Sequence, residues 1–278
     1  MVDVIIIGAS SDIGSALAER YLRRGDRVWG TFRTETTTIE RLRAAGATLV
    51  AADISNPDGV KAFVDRLAVD GVRWHRLISA VGQLAPIGPF FETDFEEWER
   101  SVRVNSTDQL RALHALRPLQ TMEEPARVIL FAGGGTNGPF NNYSAYCLGK
   151  LMLIKACELL HSECPDLVIS ILGTGWVATR IHAQTLAAGV AAGPNFDRTK
   201  AFLAQAEAMG TPMETVADCI DWCFAAPRAA VGGRNFSIVH DGWREDDFVE
   251  ALLTHPDDGK LRRLWRLAPL SGSPGSTR

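Results

Sequence analysis

Val4-Ile5-Ile6-Ile7-Gly8-Ala9-Ser10-Ser11-Asp12-Ile13-Gly14 is the stretch that decides the fold. Its first four residues form an apolar run of strand length. Beyond the glycine turn, Ile13, Ala16, Leu17 and Tyr21 recur at helical spacing until Gly25, a C-cap residue. A turn from strand directly into helix leaves backbone N–H groups unpaired at the positive end of the helix dipole, which is where a pyrophosphate binds. Gly8 allows the tight turn, and Gly14 allows helix and strand to approach closely. Gly8, Ser10, Ser11, Asp12, Ile13 and Gly14 are therefore expected to line a dinucleotide site; the alternative is a plain strand-to-helix turn.

The same alternation continues outward from this stretch. Apolar runs recur at Arg27 to Phe32, Thr48 to Ala51, Arg76 to Ala80, Arg127 to Ala132, Leu167 to Leu172 and Asn235 to Val239, with helical stretches between them. Strand and helix in turn predict an α/β fold: a doubly wound, Rossmann-like parallel sheet of about seven strands with helices on both faces. No Pro/Gly/Ser-rich linker interrupts it, so residues 1–243 are expected to form one domain. Residues 180–212, rich in Ala and Gly, follow the sixth strand at the ligand-binding end and are expected to form a mobile lid, with Trp176, His182 and Gln184 facing substrate. Residues 244–278 form an extension that packs on a neighbouring subunit or lies as a surface helix, and its last eight residues are expected to be disordered.

In 278 residues, 46% are hydrophobic and 22% charged, the composition of an ordinary globular enzyme. A net charge of −4 without a long basic run leaves no footprint for nucleic acid or an anionic membrane, so a small soluble partner is expected. The N-terminus lacks the pattern of a signal peptide and no run approaches the roughly 18 apolar residues of a membrane helix, so a cytoplasmic location is expected. The five cysteines suit reduced core thiols better than disulfides. Cys219 and Cys223 stand at i,i+4 without a second ligand pair, so no metal is expected.

Two further positions carry chemistry. The second strand ends Gly30-Thr31-Phe32-Arg33, and a basic residue at the place where an acid would grip the 2′-hydroxyl of NAD(H) favours the 2′-phosphate of NADP(H); Glu35 is close enough to serve NAD(H) instead. Asp53 and Ile54, after the third strand, are placed to flank the adenine, with a surface turn before Pro57 as the alternative. Tyr146 and Lys150 stand at i,i+4 on a helix expected from about Ser144 to Ser162. A cation beside a phenol favours phenolate and brings its pKa down from near 10 towards neutrality, so Tyr146 can exchange a proton with a substrate oxygen. With three tyrosines and five lysines in the chain, a chance Tyr-x-x-x-Lys is expected only about 0.05 times.

In the order and spacing of these stretches the chain resembles the short-chain dehydrogenase/reductase family as far as about Trp243. Ser79-Ala80-Val81-Gly82 resembles the family's Asn-Asn-Ala-Gly, and implies nucleotide contacts at Ala80, Val81 and Gly82. Asn105 matches the Asn that bends the following helix and holds a water in a proton relay. Gly173 to Thr179 resembles the Pro-Gly segment, implying contacts at Gly175, Val177 and Thr179, and Gly233 to Gly242 resembles the last strand and its glycine ending. The resemblance implies an NADP(H)-dependent oxidoreductase, a homodimer or homotetramer, that interconverts a carbonyl and a secondary alcohol on a small polar metabolite. Lys150 would bind the nicotinamide ribose. A dehydratase or epimerase that uses the nucleotide transiently is a related alternative.

Three departures stand out: Asp12 replaces the middle glycine, Thr174 replaces a proline, and Gly133 stands where the catalytic Ser belongs, 13 residues before Tyr146. Asp12 is tolerable near phosphates if it turns away and caps the helix. Thr136 and Asn137, on the loop after Gly133, are the expected replacement donors, while Ser144 is expected to be the N-cap of the tyrosine's helix. The departures also raise the alternative of a dinucleotide-binding regulator without chemistry.

Overall fold

Strands covered by helices on both faces read as unbroken apolar runs, and β1 (Asp3–Ile7) shows why: all five of its residues are buried. A computed structural model describes residues 1–262. Six further strands join β1: β2 (Arg27–Phe32), β3 (Thr48–Ala51), β4 (Arg76–Ser79), β5 (Ala126–Phe131), β6 (Leu167–Gly173) and β7 (Asn235–Ser237). All pair in parallel, in the order β3-β2-β1-β4-β5-β6-β7. The order reverses between β1 and β4, and at such a switch point a crevice opens beyond the carboxyl ends of the strands.

The helices are α1 (Asp12–Arg23), α2 (Thr37–Ala44), α3 (Pro57–Val69), α4 (Phe95–Val104), α5 (Thr107–Leu116), α6 (Ser144–Glu163), α7 (His182–Ala188), α8 (Pro194–Ala204), α9 (Ala206–Met209), α10 (Met213–Ala225), α11 (Arg228–Val231) and α12 (Phe248–Thr254). Alternate strand residues feed two cores. Val4 and Ile6 pack with α1, α2 and α10 through Leu17, Leu42 and Ile220. Ile5 and Ile7 pack on the other face with α3, α5 and α6 through Phe63, Leu113 and Leu153.

Residues 244–262 pack back on their own domain through α12. Leu252 of α12 is buried in the first core, with Phe248 and Val249 beside it. Arg234, itself buried, donates to the carbonyls of Leu252 and Asp258, each at 2.5 Å, and of His255 at 3.1 Å. These acceptors lie at and beyond the C-terminal end of α12, where a cation also meets the negative end of the helix dipole. The residues expected to be disordered, 271–278, lie outside those described. Replacing Arg234 with Met would leave these carbonyls without their donor, so Arg234→Met is expected to cost about 3 kcal/mol in urea unfolding. An unfolding midpoint equal to the parent's would show that α12 docks without this arginine.

Candidate functional site

The glycine turn is built as the sequence predicts. Gly8 has φ +81°, and a Cβ on Gly14 would lie 2.3 Å from the Gly8 carbonyl oxygen. Ser11, not Asp12, caps α1: its Oγ accepts from the Gly14 N–H at 3.0 Å. Asp12 is instead paired with Arg180, its carboxylate accepting from the Arg180 backbone N–H at 2.6 Å and from Nε at 2.8 Å. Arg180 Nη2 also donates to the Ser10 carbonyl, so the guanidinium lies across the turn.

Beyond the turn lies a cleft of about 240 Å³. Gly8, Ser10, Ser11 and Arg180 line one side; Arg33, Asp53 and Ile54 line a second; Ala80, Val81, Gly82 and Gln83 line the third. Arg33 is exposed, while Glu35 is held by Arg43 at 2.7 Å. Asp53 Oδ1 accepts from the backbone N–H and the hydroxyl of Ser55, which gives it a turn-forming role as well as its place in the lining. The Val177 side chain is buried in the core and Ile13 packs partly buried against it; neither lines the cleft. Gly175 takes φ +68°, and the Thr179 hydroxyl donates to the Val177 carbonyl at 3.4 Å. Neither belongs to the cleft lining.

Helix α6 places Lys150 against the cleft wall at Val81 and Tyr146 one turn before it; neither side chain lines the cleft itself. Lys150 Nζ donates to the Val81 carbonyl at 3.0 Å and stands 5.9 Å from the centre of the Tyr146 ring. Both side chains are buried, and burial pushes the ammonium down to about 7. The phenol is raised above its ordinary value, by burial first and by Cys147 second. The lowering by Lys150 expected from the sequence is therefore not what this arrangement does: loss of water outweighs a cation that burial itself discourages.

The missing serine has a steric account. A Cβ on Gly133 would lie 2.0 Å from the Tyr146 hydroxyl oxygen, so the phenol occupies the room that a side chain there would need. Thr136 and Asn137, the expected replacement donors, are engaged elsewhere or point away. The Thr136 hydroxyl donates to the Gly133 carbonyl at 2.9 Å, closing the loop, and Asn137 is exposed. Ser144 is not an N-cap: Tyr143 takes that position without a side-chain cap, and Ser144 Oγ accepts from Trp98 Nε1 at 2.9 Å. Asn105 ends α4, and the chain breaks there before α5 as the resemblance implies. Its amide donates to the Gln83 and Ser101 carbonyls at 2.7 and 3.0 Å, and its Oδ1 accepts from the Gln83 N–H at 3.1 Å, so the side chain clamps the cleft wall.

Of residues 180–212, Ile181, Ala188, Ala192 and Phe196 pack in the cluster around Tyr146. Gln184 Oε1 accepts from the N–H groups of Leu84 and Ala85 at 2.9 and 3.0 Å, and the Tyr143 hydroxyl donates to Thr185 Oγ1 at 2.9 Å. Asn142 Nδ2 donates to the Ala191 carbonyl at 2.9 Å. Beneath these bonds Leu84, Ile87, Phe140, Tyr143, Ile181 and Phe196 pack around Tyr146. Trp176 and His182 are elsewhere: they stack on each other at 5.5 Å and pack on Phe202, and His182 Nε2 is 2.9 Å from the Val177 carbonyl oxygen. Of the three residues expected to face substrate, the structure brings only Gln184 to the segments around the phenol, and there it fastens backbone.

Sequence reasoning missed Arg180, Gln83 and Thr31, whose Oγ1 accepts from the Gly8 N–H at 3.1 Å. Arg180 had a signal, since an acid in a phosphate-binding turn calls for a cation to balance it. Gln83 and Thr31 had none. Among the described residues no group of three or more His, Cys, Asp or Glu is placed to hold a metal, and no helix is long and apolar enough to cross a membrane.

Comparison with known proteins bears on the whole arrangement. A family model described as enoyl-(acyl carrier protein) reductase matches residues 8–215. The chain is 29% identical over 188 residues to cis-4-hydroxycyclohexanecarboxylate dehydrogenase of Sinomonas cyclohexanicum, covering 64% of this chain and 74% of the relative. It is 25% identical over 267 residues to 7beta-hydroxysteroid dehydrogenase of Mediterraneibacter gnavus, covering 89% and 94%. The fold matches a crystal structure of actinorhodin polyketide ketoreductase with NADPH at a TM-score of 0.72 and 22% identity, over 85% of this chain and 95% of that one. The family match runs from the glycine turn, through the helix of Tyr146 and Lys150, into α10. By that match the chain belongs to the short-chain dehydrogenase/reductase family, oxidoreductases acting on CH–OH and C=O groups.

Proposed function

We propose that the chain is an NADP(H)-dependent enzyme that interconverts a ketone and a secondary alcohol, with Tyr146 as the proton donor and acceptor. The observation that carries this is the placement of Lys150. It bonds the Val81 carbonyl in the wall of the cleft and lies beside the phenol over Gly133, so one residue joins the two halves of the site.

The cleft fits a dinucleotide on its own geometry. Gly14 has no room for a Cβ, and the turn N–H groups stand at the start of a twelve-residue helix where phosphates are favoured. Arg33, exposed at the end of β2, suits a 2′-phosphate, and the carboxylate that could serve NAD(H) instead, Glu35, is paired with Arg43. NADPH is present in the solved structures of two proteins of similar fold, which supports the same choice. When bound, a nicotinamide dinucleotide supplies or accepts the hydride.

The chain's own residues handle the proton. Burial keeps the Tyr146 phenol protonated at neutral pH, so in the reducing direction it gives its proton to the carbonyl oxygen. Lys150, brought to about 7, is charged below that pH and neutral above it. As a cation it favours phenolate, the form that accepts a proton in the oxidising direction. Asn105 holds Gln83 and the cleft wall in place from behind.

The substrate proposed here differs from the small polar metabolite expected from the sequence. The side chains packed around the phenol are apolar, and a polyol brought among them would lose water without regaining hydrogen bonds. An apolar, alicyclic or aryl ketone replaces those contacts at no such cost. The names of the two relatives above, each with a hydroxylated carbocycle, support this. The regulator alternative loses its motive, since Gly133 makes room for Tyr146 and Asp12 has a partner. A homodimer or homotetramer remains part of the proposal, and Phe91 and Phe95, both exposed, offer apolar surface for it.

Tyr146→Phe is expected to lower kcat for ketone reduction by at least about 100-fold while NADPH affinity changes less than about threefold. Turnover close to the parent's would remove the tyrosine from the chemistry. Arg33→Ala should weaken NADPH by roughly 10- to 100-fold and NADH by less than about twofold. An equal loss for both would mean that the guanidinium does not read the 2′-phosphate. Among substrates, cyclohexanone or 1-decalone should exceed dihydroxyacetone in kcat/KM by at least about tenfold. The reverse order would restore the polar metabolite.

A further inference from the structure

Asp12 poses a problem that the dinucleotide proposal leaves open. It is the first residue of α1, and a lone carboxylate there would repel phosphates arriving at the helix end. The structure balances it with Arg180, a residue 168 positions away. Backbone N–H and Nε of Arg180 take the two carboxylate oxygens, and Nη2 bonds the Ser10 carbonyl. Two side-chain contacts and one from the backbone tie Arg180 to the turn, although its side chain is 64% exposed.

A guanidinium carries five N–H donors in a planar fork. Asp12 and Ser10 engage two of them, and among the described residues the others meet no acceptor. Arg180 also lines the cleft, on the side formed by Gly8, Ser10 and Ser11. A cation with unused donors, anchored at the mouth of an anion-binding turn, has the geometry to close over a diphosphate from the side opposite the helix N–H groups.

We propose that Arg180 is a diphosphate-binding residue of this enzyme and that Asp12 is its positioning residue. This rests on the dinucleotide proposal above. Asp12 holds the guanidinium over the turn before the ligand arrives, and Arg180 removes the repulsion that Asp12 would otherwise exert. The residue that breaks the family's glycine motif and the arginine that opens the lid act as one unit.

Calorimetric binding to the purified full chain tests this with two ligands: NADPH, which contains the diphosphate, and adenosine 2′-monophosphate, which keeps the 2′-phosphate but has no 5′-phosphate. Arg180→Ala is expected to weaken NADPH by at least about tenfold and the monophosphate by less than about twofold, and Arg180→Lys to recover part of the loss. Asp12→Ala separates ligation from charge balance. The double variant should bind NADPH better than Arg180→Ala alone, because the unbalanced carboxylate is gone, yet remain at least about threefold weaker than Asp12→Ala alone. If the double variant equals Asp12→Ala, Arg180 only neutralises Asp12 and is not a ligand. Equal losses for both ligands, or none for either, would likewise overturn the proposal. A parent protein that binds neither ligand would instead overturn the dinucleotide proposal itself, and this one with it.

Discussion

The contact between the Tyr146 hydroxyl and the backbone of Gly133 sets the rest of the site. Because a Cβ at Gly133 would fall 2.0 Å from the phenol oxygen, the Tyr146 ring can hold this place only while residue 133 has no side chain. The ring is buried among Leu84, Phe140, Tyr143 and Ile181. Lys150, one turn further along α6, then reaches the Val81 carbonyl at the cleft wall. Helix α7 is fixed beside it, with Gln184 accepting from Leu84 and Ala85 and Thr185 accepting from Tyr143.

That depth determines the protonation states. Removing water from both groups disfavours phenolate and ammonium together, so proximity of the pair does not by itself activate the tyrosine. In the proposed reaction the same burial would favour reduction, for which a protonated phenol is the form required. Oxidation would need a positive charge at Lys150, and anionic phosphates in the adjoining cleft would supply part of the field that favours it. On that proposal the apolar packing that raises the phenol would also select a substrate that brings no unpaired polar groups, so acidity and specificity would come from one set of contacts.

Much of the fold was legible in the sequence because parallel strands buried on both faces leave apolar runs. β2 and β3 begin and end where those runs do, and the other boundaries differ by one or two residues. The pairing of Tyr146 with Lys150 was legible for an equally local reason, the helical period. What depended on contacts between distant segments was not. Ser11 rather than Asp12 caps α1, Trp98 takes Ser144 away from a capping role, and Trp176 and His182 turn towards Phe202, not substrate. The docking of α12 was harder to read because part of its anchor, beside the apolar contacts of Phe248, Val249 and Leu252, is a buried arginine bonding carbonyls, and carbonyls leave no trace in side-chain periodicity.

The two departures that suggested lost chemistry, Gly133 and Asp12, each proved to be half of a fitted contact. Here Gly133 meets the hydroxyl of the tyrosine that would do the work, and Asp12 meets a cation at the edge of the cleft that would hold the nucleotide. Tyr146 lies 13 residues on, beyond the loop after β5, and Arg180 lies 168 residues on, beyond β6. Each departure thus has a structural account in a contact of the folded chain, so neither one by itself argues that chemistry has been lost.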